Sequence, residues 1–96
     1  MDHELKAVQL TADGFATQKR ARFRQLLVFH PLSSDSEFKF YDLDTVPVGD
    51  EPFYKFAVYG KGRDAVQFPD PGILFENGIY VTVVAGCTVT VIYEEV

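Results

Sequence analysis

The chain has little of what catalytic, secreted or membrane-spanning proteins are built from. It holds one cysteine, Cys87, in 96 residues. No intrachain disulfide can therefore staple it, and a reducing compartment, or a particle assembled in one, suits it. Tryptophan, the strongest stacking and cation–π side chain, is absent. Histidine occurs twice, as His3 and His30. Neither has a partner at metal-ligand spacing and there is no Cys-x-x-Cys, so no metal is expected. Cations are scarce: nine Lys and Arg face fourteen Asp and Glu, giving a formal charge of -5 and a pI of about 4.8. That balance disfavours nucleic acid, whose recognition needs many cationic phosphate contacts. No apolar run reaches the roughly 18 residues of a membrane helix. Met1-Asp2-His3-Glu4-Leu5-Lys6 lacks the basic start and apolar block of a secretory signal, and residues 1–6 are expected to form a flexible arm. No capped segment of helical period is present either.

What the chain does have is strand sequence. From Gly72 to Tyr93 it is rich in Val, Ile, Thr and Tyr, interrupted by Asn77-Gly78 and Ala85-Gly86. Such residues suit a pleated, half-buried surface, and the interruptions predict paired strands closing a small all-β domain. Upstream, short apolar runs recur between turn signals, the pattern of an all-β fold. Strands are predicted over residues 7–10, 16–18, 20–29, 37–43, 53–59, 65–68, 79–84 and 87–94. Asp13-Gly14 predicts a tight hairpin turn, because both central residues of such turns take positive φ, and Gly60-Lys61-Gly62 predicts another. Pro31 should end the third strand. The expectation is one domain of seven to nine short strands in an antiparallel two-sheet sandwich of jelly-roll type, with an open barrel as the other way to bury them. Nine Phe and five Tyr exceed what a core of this size needs, which predicts aromatic side chains at an interface.

Charge is unevenly laid out. Residues 1–24 carry five cations and three acids, residues 25–96 four cations and eleven acids. Arg20, Arg22 and Arg24 alternate with Ala21, Phe23 and Gln25. Strand alternation should project all three guanidinium groups from one face, as a stripe that docks on an acidic surface. The plainer reading is a solvated edge whose charge discourages strand-to-strand aggregation.

A search for chemistry finds no reactive constellation. Cys87 reads as a small core hydrophobe, with no base indicated beside it. His30, before Pro31, reads as a solvated or packing residue. Asp42, Asp44, Asp50 and Glu51 cluster without the regular oxygen spacing of a calcium loop. Tyr41, Tyr54, Tyr59, Tyr80 and Tyr93 suit stacking on sugars, and equally suit strands with a wet phenol tip. No enzyme and no cofactor are expected.

Several segments carry a resemblance: Lys19-Arg20-Ala21-Arg22-Phe23-Arg24, Tyr41-Asp42, Asp70-Pro71-Gly72-Ile73-Leu74-Phe75, Gly78-Ile79-Tyr80-Val81 and Val89-Thr90-Val91-Ile92-Tyr93. Over about three quarters of its length the chain resembles short virion proteins of tailed bacteriophages. The heavy charge of residues 35–64 departs from the Ser, Thr and Gly of that group. The resemblance implies a structural β-sandwich subunit that decorates or cements the capsid or serves as a connector, found in the virion and assembled in the host cytoplasm. Its partners would be the major capsid protein or other virion subunits and further copies of itself, a trimer being one arrangement, with neither nucleic acid nor membrane. Candidate contacts are Arg20, Arg22, Arg24, Phe53 and Tyr54. The alternatives are a carbohydrate-binding module and a tail or neck adaptor.

Overall fold

The computed structural model describes residues 4–96. Nine strands follow one another: β1 (Lys6–Leu10), β2 (Gly14–Thr17), β3 (Ala21–His30), β4 (Ser36–Tyr41), β5 (Tyr54–Val58), β6 (Gly62–Gln67), β7 (Ile73–Phe75), β8 (Ile79–Thr82) and β9 (Thr88–Glu95). One sheet, sheet A, has the order β1-β9-β3-β6, with β7 added beside β3; the other, sheet B, has the order β2-β8-β4-β5. All pairs are antiparallel. The orders β1-β9-β3-β6 and β2-β8-β4-β5 are those of the two facing sheets of a jelly roll, with β7 as an extra fifth strand of sheet A.

Of all the pairs, β4 with β5 alone joins strands that follow each other in the chain. The turns predicted as hairpins are therefore corners. Asp13-Gly14 leads from β1 in sheet A to β2 in sheet B, and Gly60-Lys61-Gly62 leads from β5 back to β6. Ala85-Gly86 likewise separates β8 from β9, which lie in different sheets. Turn chemistry specifies a local reversal, and the reversal alone does not say which sheet the next strand joins. The Asp13 carboxylate fixes one corner by accepting the Val83 backbone N–H at 2.7 Å. Of the arm expected over residues 1–6, residues 1–3 lie outside the described residues, and Lys6 is a strand residue paired with Tyr93.

β3 and β9 are the long central strands of sheet A. β9 alternates regularly, with Val89, Val91 and Tyr93 inward. β3 changes parity partway. Ala21 and Phe23 point inward, then Leu26, Val28 and His30 do, because Arg24 is an extra residue between the pairs Phe23–Tyr93 and Gln25–Ile92. Such a bulge lets two successive side chains leave by the same face.

The core sits between the sheets and is aromatic at its centre. The Phe23 ring lies 4.7 Å from Phe68, 5.3 Å from Phe40 and 5.9 Å from Phe75. Burying Phe23 alone stabilises the fold by about 2–3 kcal/mol. Much of the aromatic surplus read as interface material is consumed here, in Phe23, Phe38, Phe40, Phe68, Phe75 and Tyr93, while Tyr41 and Tyr80 are buried on the outer side of sheet B beside Phe15.

The connections 11–13, 31–35, 59–61 and 83–87 gather at one end of the sandwich, called the His30 end. The opposite Arg20 end holds the connections 18–20 and 42–53 and the passage from β6 through β7 to β8. Gly78 shows how closely the backbone packs there. A Cβ at this position would lie 2.7 Å from the Leu43 carbonyl oxygen and 2.8 Å from that of Thr17.

Candidate interaction surfaces

The predicted arginine stripe is split up by the fold. Arg20 precedes β3, and its Nε donates to Glu76 at 3.1 Å. Arg24, at the bulge, donates to Glu94 at 2.7 Å and to Asp70 at 3.1 Å. Arg22 lies across from Leu74 and Glu94 in register and makes no ion pair with any described residue. Two of the three guanidinium groups are thus committed within the molecule, to acids that lie 46 to 70 positions away in sequence. Such half-exposed pairs contribute little each, about 0–1 kcal/mol, but they leave no continuous basic stripe.

Phe53 and Tyr54 also part company. Phe53 is 55% exposed, with its ring edge-on to Phe75 at 5.0 Å. Tyr54 packs against Phe40 at 5.6 Å and Phe68 at 5.4 Å, and burial pushes its phenol pKa up. Tyr54 therefore belongs to the rim of the core, and Phe53 is the one of the two that presents a ring to solvent. Exposed large apolar groups at the Arg20 end also include Val46 and Val48 on the loop to β5.

The remaining predicted chemistry resolves into structural roles. His3 lies outside the described residues. His30 is fully buried, with Nδ1 2.7 Å from the Gly60 carbonyl and Nε2 2.8 Å from the Ser36 hydroxyl. A carbonyl can only accept, so Nδ1 carries the proton and donates, and Nε2 accepts from Ser36. His30 packs as the second of its two sequence readings supposed. Cys87 is buried, and desolvation raises its thiol pKa, away from the thiolate a nucleophile needs. The Asp42 carboxylate accepts the backbone N–H groups of Glu76 and Asn77 at 3.0 and 2.8 Å, so it clamps one loop to another. Among the described residues no group of three or more His, Cys, Asp or Glu is placed to hold a metal ion.

The alternation of the strands defines two outer faces, and they differ. That of sheet B presents an aromatic row of Phe15, Tyr80 and Tyr41 beside Glu37, Lys39 and Lys55, with the two lysines directly opposite in register. Like charges so placed repel. That of sheet A presents the row Ala7, Ile92, Gln25 and Gln67 and the row Gln9, Thr90, Leu27 and Ala65, followed by Thr88, Phe29 and Arg63. Arg63 carries the one charge in these rows, and its guanidinium sits 5.3 Å from the centre of the Phe29 ring; toward the Arg20 end the same face continues into the charged Glu94, Arg22 and Arg24. A surface cavity of about 270 Å³ lies here, between Leu27, Phe29, Ala65 and Thr90. Composition gave no hint of this face. The signal was available in the uncharged outward positions Thr88, Thr90 and Ile92 of β9 and Gln25, Leu27 and Phe29 of β3, but reading it requires the bulge at Arg24 to be known. Comparison with family models, with curated proteins and with solved structures finds no match for the chain.

Proposed function

We propose that the chain is a structural subunit without catalytic activity, a virion protein of a tailed bacteriophage that decorates or cements the capsid. The observation that carries this reading is the use of its polar groups. Asp13, Asp42, His30, Arg20, Arg24 and Glu95 are each spent on holding connections or strand ends together, while the middle of one sheet face, from Ile92 and Gln25 to Phe29, is left without charge. The jelly roll is an architecture of capsid and lectin domains; that support is an analogy of fold, since fold does not determine function. The resemblance of residues 70–81 and 89–93 to phage virion proteins supports it from the sequence.

In this reading each copy buries a modest interface against the major capsid protein, and many copies on one particle add avidity that no single contact supplies. A carbohydrate-binding role has less support. The exposed aromatic rings Phe29, Phe53 and Tyr59 sit on separate elements, and of these Phe29 alone lines the surface cavity. At about 270 Å³ that cavity is also smaller than the roughly 300–1,000 Å³ of a typical ligand site. Mass spectrometry of purified virions tests the reading. The chain should be present in many copies per particle, and its absence from the particle refutes the proposal. A cryo-EM map of the same particles then separates a capsid position from a tail or neck position.

A further inference from the structure

We infer that the outer face of sheet A is the surface on which two copies of this chain meet about a two-fold axis. The inference rests on the reading of the chain as an assembling subunit and names the surface it uses.

Three observations lead to it. The first is composition. Charged residues make up 24% of the chain, yet the centre of this face holds Thr, Gln, Ala, Leu, Ile and Phe, with Arg63 at one rim and Arg22, Arg24 and Glu94 at the other. Depletion of charge at the centre is what marks the core of a protein interface. The second is shape. Four strands at ~4.8 Å spacing and about six residues at ~3.4 Å give a face of roughly 19 by 20 Å. Two such faces cover about 760 Å² as flat patches, and side-chain relief and the loop rims must supply the rest of a contact at the low end of specific interfaces, near 1,200 Å² in total. The open cavity between Leu27 and Thr90 has room for one or two side chains of an opposing protein surface.

The third observation is charge complementarity, and it selects a second copy as the occupant. On the side of the face bordered by β6, Arg63 stands at the His30 end and Asp70 at the Arg20 end, just past Gln67. The Asp70 side chain is 84% exposed. Its partner Arg24 is held more closely by Glu94, at 2.7 against 3.1 Å, so Asp70 can be shared. An isologous contact brings each patch against its own copy. A two-fold axis running across the strands lays β6 on the second copy's β6 with ends reversed. Each Arg63 then faces the second copy's Asp70, twice over, while Leu27 and Thr90 lie close to the axis.

Sedimentation velocity of the purified chain, from about 10 to about 300 µM to cover a weak contact of this size, tests the inference. The wild-type chain should convert from monomer to dimer across the range. Thr90→Lys, on the solvent side of β9, should weaken association at least tenfold while leaving the circular dichroism spectrum unchanged. Arg63→Asp lies on an exposed edge strand and should weaken it as well, and adding Asp70→Arg to the same chain should restore association to within threefold of wild type. A wild-type chain that stays monomeric throughout overturns the inference. So does a dimer untouched by Thr90→Lys and Arg63→Asp, which would place the contact elsewhere, or a trimer. A monomer found in purified virions refutes the pairing and leaves the virion role standing, whereas a dimer absent from virions does the reverse.

Discussion

At the His30 end, four short connections turn the corner between sheets, and a fully buried imidazole ties two of them together. At the Arg20 end the connections are mostly longer, and carboxylates and cations hold them: Asp42 on two backbone amides, Arg20 on Glu76, Arg24 between Glu94 and Asp70, and Lys6 on Glu95. A buried neutral hydrogen bond is insensitive to salt and costly to break. Exposed ion pairs are screened at physiological ionic strength and contribute little apiece. The two ends should therefore fail differently, the first through substitution and the second through salt and acid. The loosely held end is also the one with exposed Val46, Val48 and Phe53.

The largest effect is expected at His30. His30→Ala removes a buried ring that lies edge-on to Phe38 at 6.3 Å, opens a cavity, and leaves the Gly60 carbonyl and the Ser36 hydroxyl without their partner. Unsatisfied buried groups cost about 1–3 kcal/mol, and with the lost packing the total should reach about 3 kcal/mol. Urea unfolding should show the midpoint falling with an unchanged slope. His30→Asn sharpens the test: its amide can still donate toward Gly60, so it should recover part of the loss. A variant at this site as stable as wild type would contradict the view that the buried ring holds this end.

Asp42→Ala should come next, at about 1–2 kcal/mol, the usual cost of removing a side chain that caps two backbone amides. Glu76 and Asn77 then lose their acceptor, and the connection before β8 loosens against the loop before β5. Hydrogen exchange should accelerate at those two amides while the β9 amides stay protected. If protection at Glu76 and Asn77 is unchanged, the clamp is not what orders this end.

The contrast between the ends also marks how far the residues alone could be read. Strand positions were legible because alternation is local: Val89, Val91 and Tyr93 announce β9 without any knowledge of its neighbours. The sandwich class followed from the number of strands and the want of crossover helices. Pairing was not legible. Asp13-Gly14 and Gly60-Lys61-Gly62 have the chemistry of tight turns, and a tight turn serves a hairpin and a corner equally well. The contact sites suffered in the same way. Arg20, Arg22 and Arg24 alternate as an exposed stripe should, but the bulge and the distant acids Glu76, Asp70 and Glu94 that neutralise two of them belong to tertiary structure. His30 looked like an isolated histidine because Gly60 lies 30 positions away.

The smallest effect, and the one that most sharpens the contrast, is expected where β1 meets the end of β9. Glu95 accepts from Lys6 and from the Thr17 hydroxyl, and these two hydrogen bonds, Lys6 first, lower its pKa from the usual 4.5. The Lys6 pKa is raised above 10.5, chiefly by its hydrogen bond to the same carboxylate. A carboxylate with a depressed folded-state pKa adds stability above its unfolded value and loses it as pH falls through the folded one; a lysine with a raised pKa adds stability below its unfolded value and loses it as pH rises through the folded one. The pair should therefore stabilise the fold from about pH 4.5 to 10.5. Glu95→Gln keeps an oxygen for Thr17 and removes only the charge. Its urea midpoint should lie slightly below that of wild type at pH 7, converge with it below pH 4.5 as the wild-type carboxylate protonates, and converge at pH 7 when salt is raised to about 1 M, where the screening length is near 3 Å. His30→Ala should keep its full deficit in that salt. Should both variants respond to salt alike, the two ends would be held by the same forces and the division between them would fall.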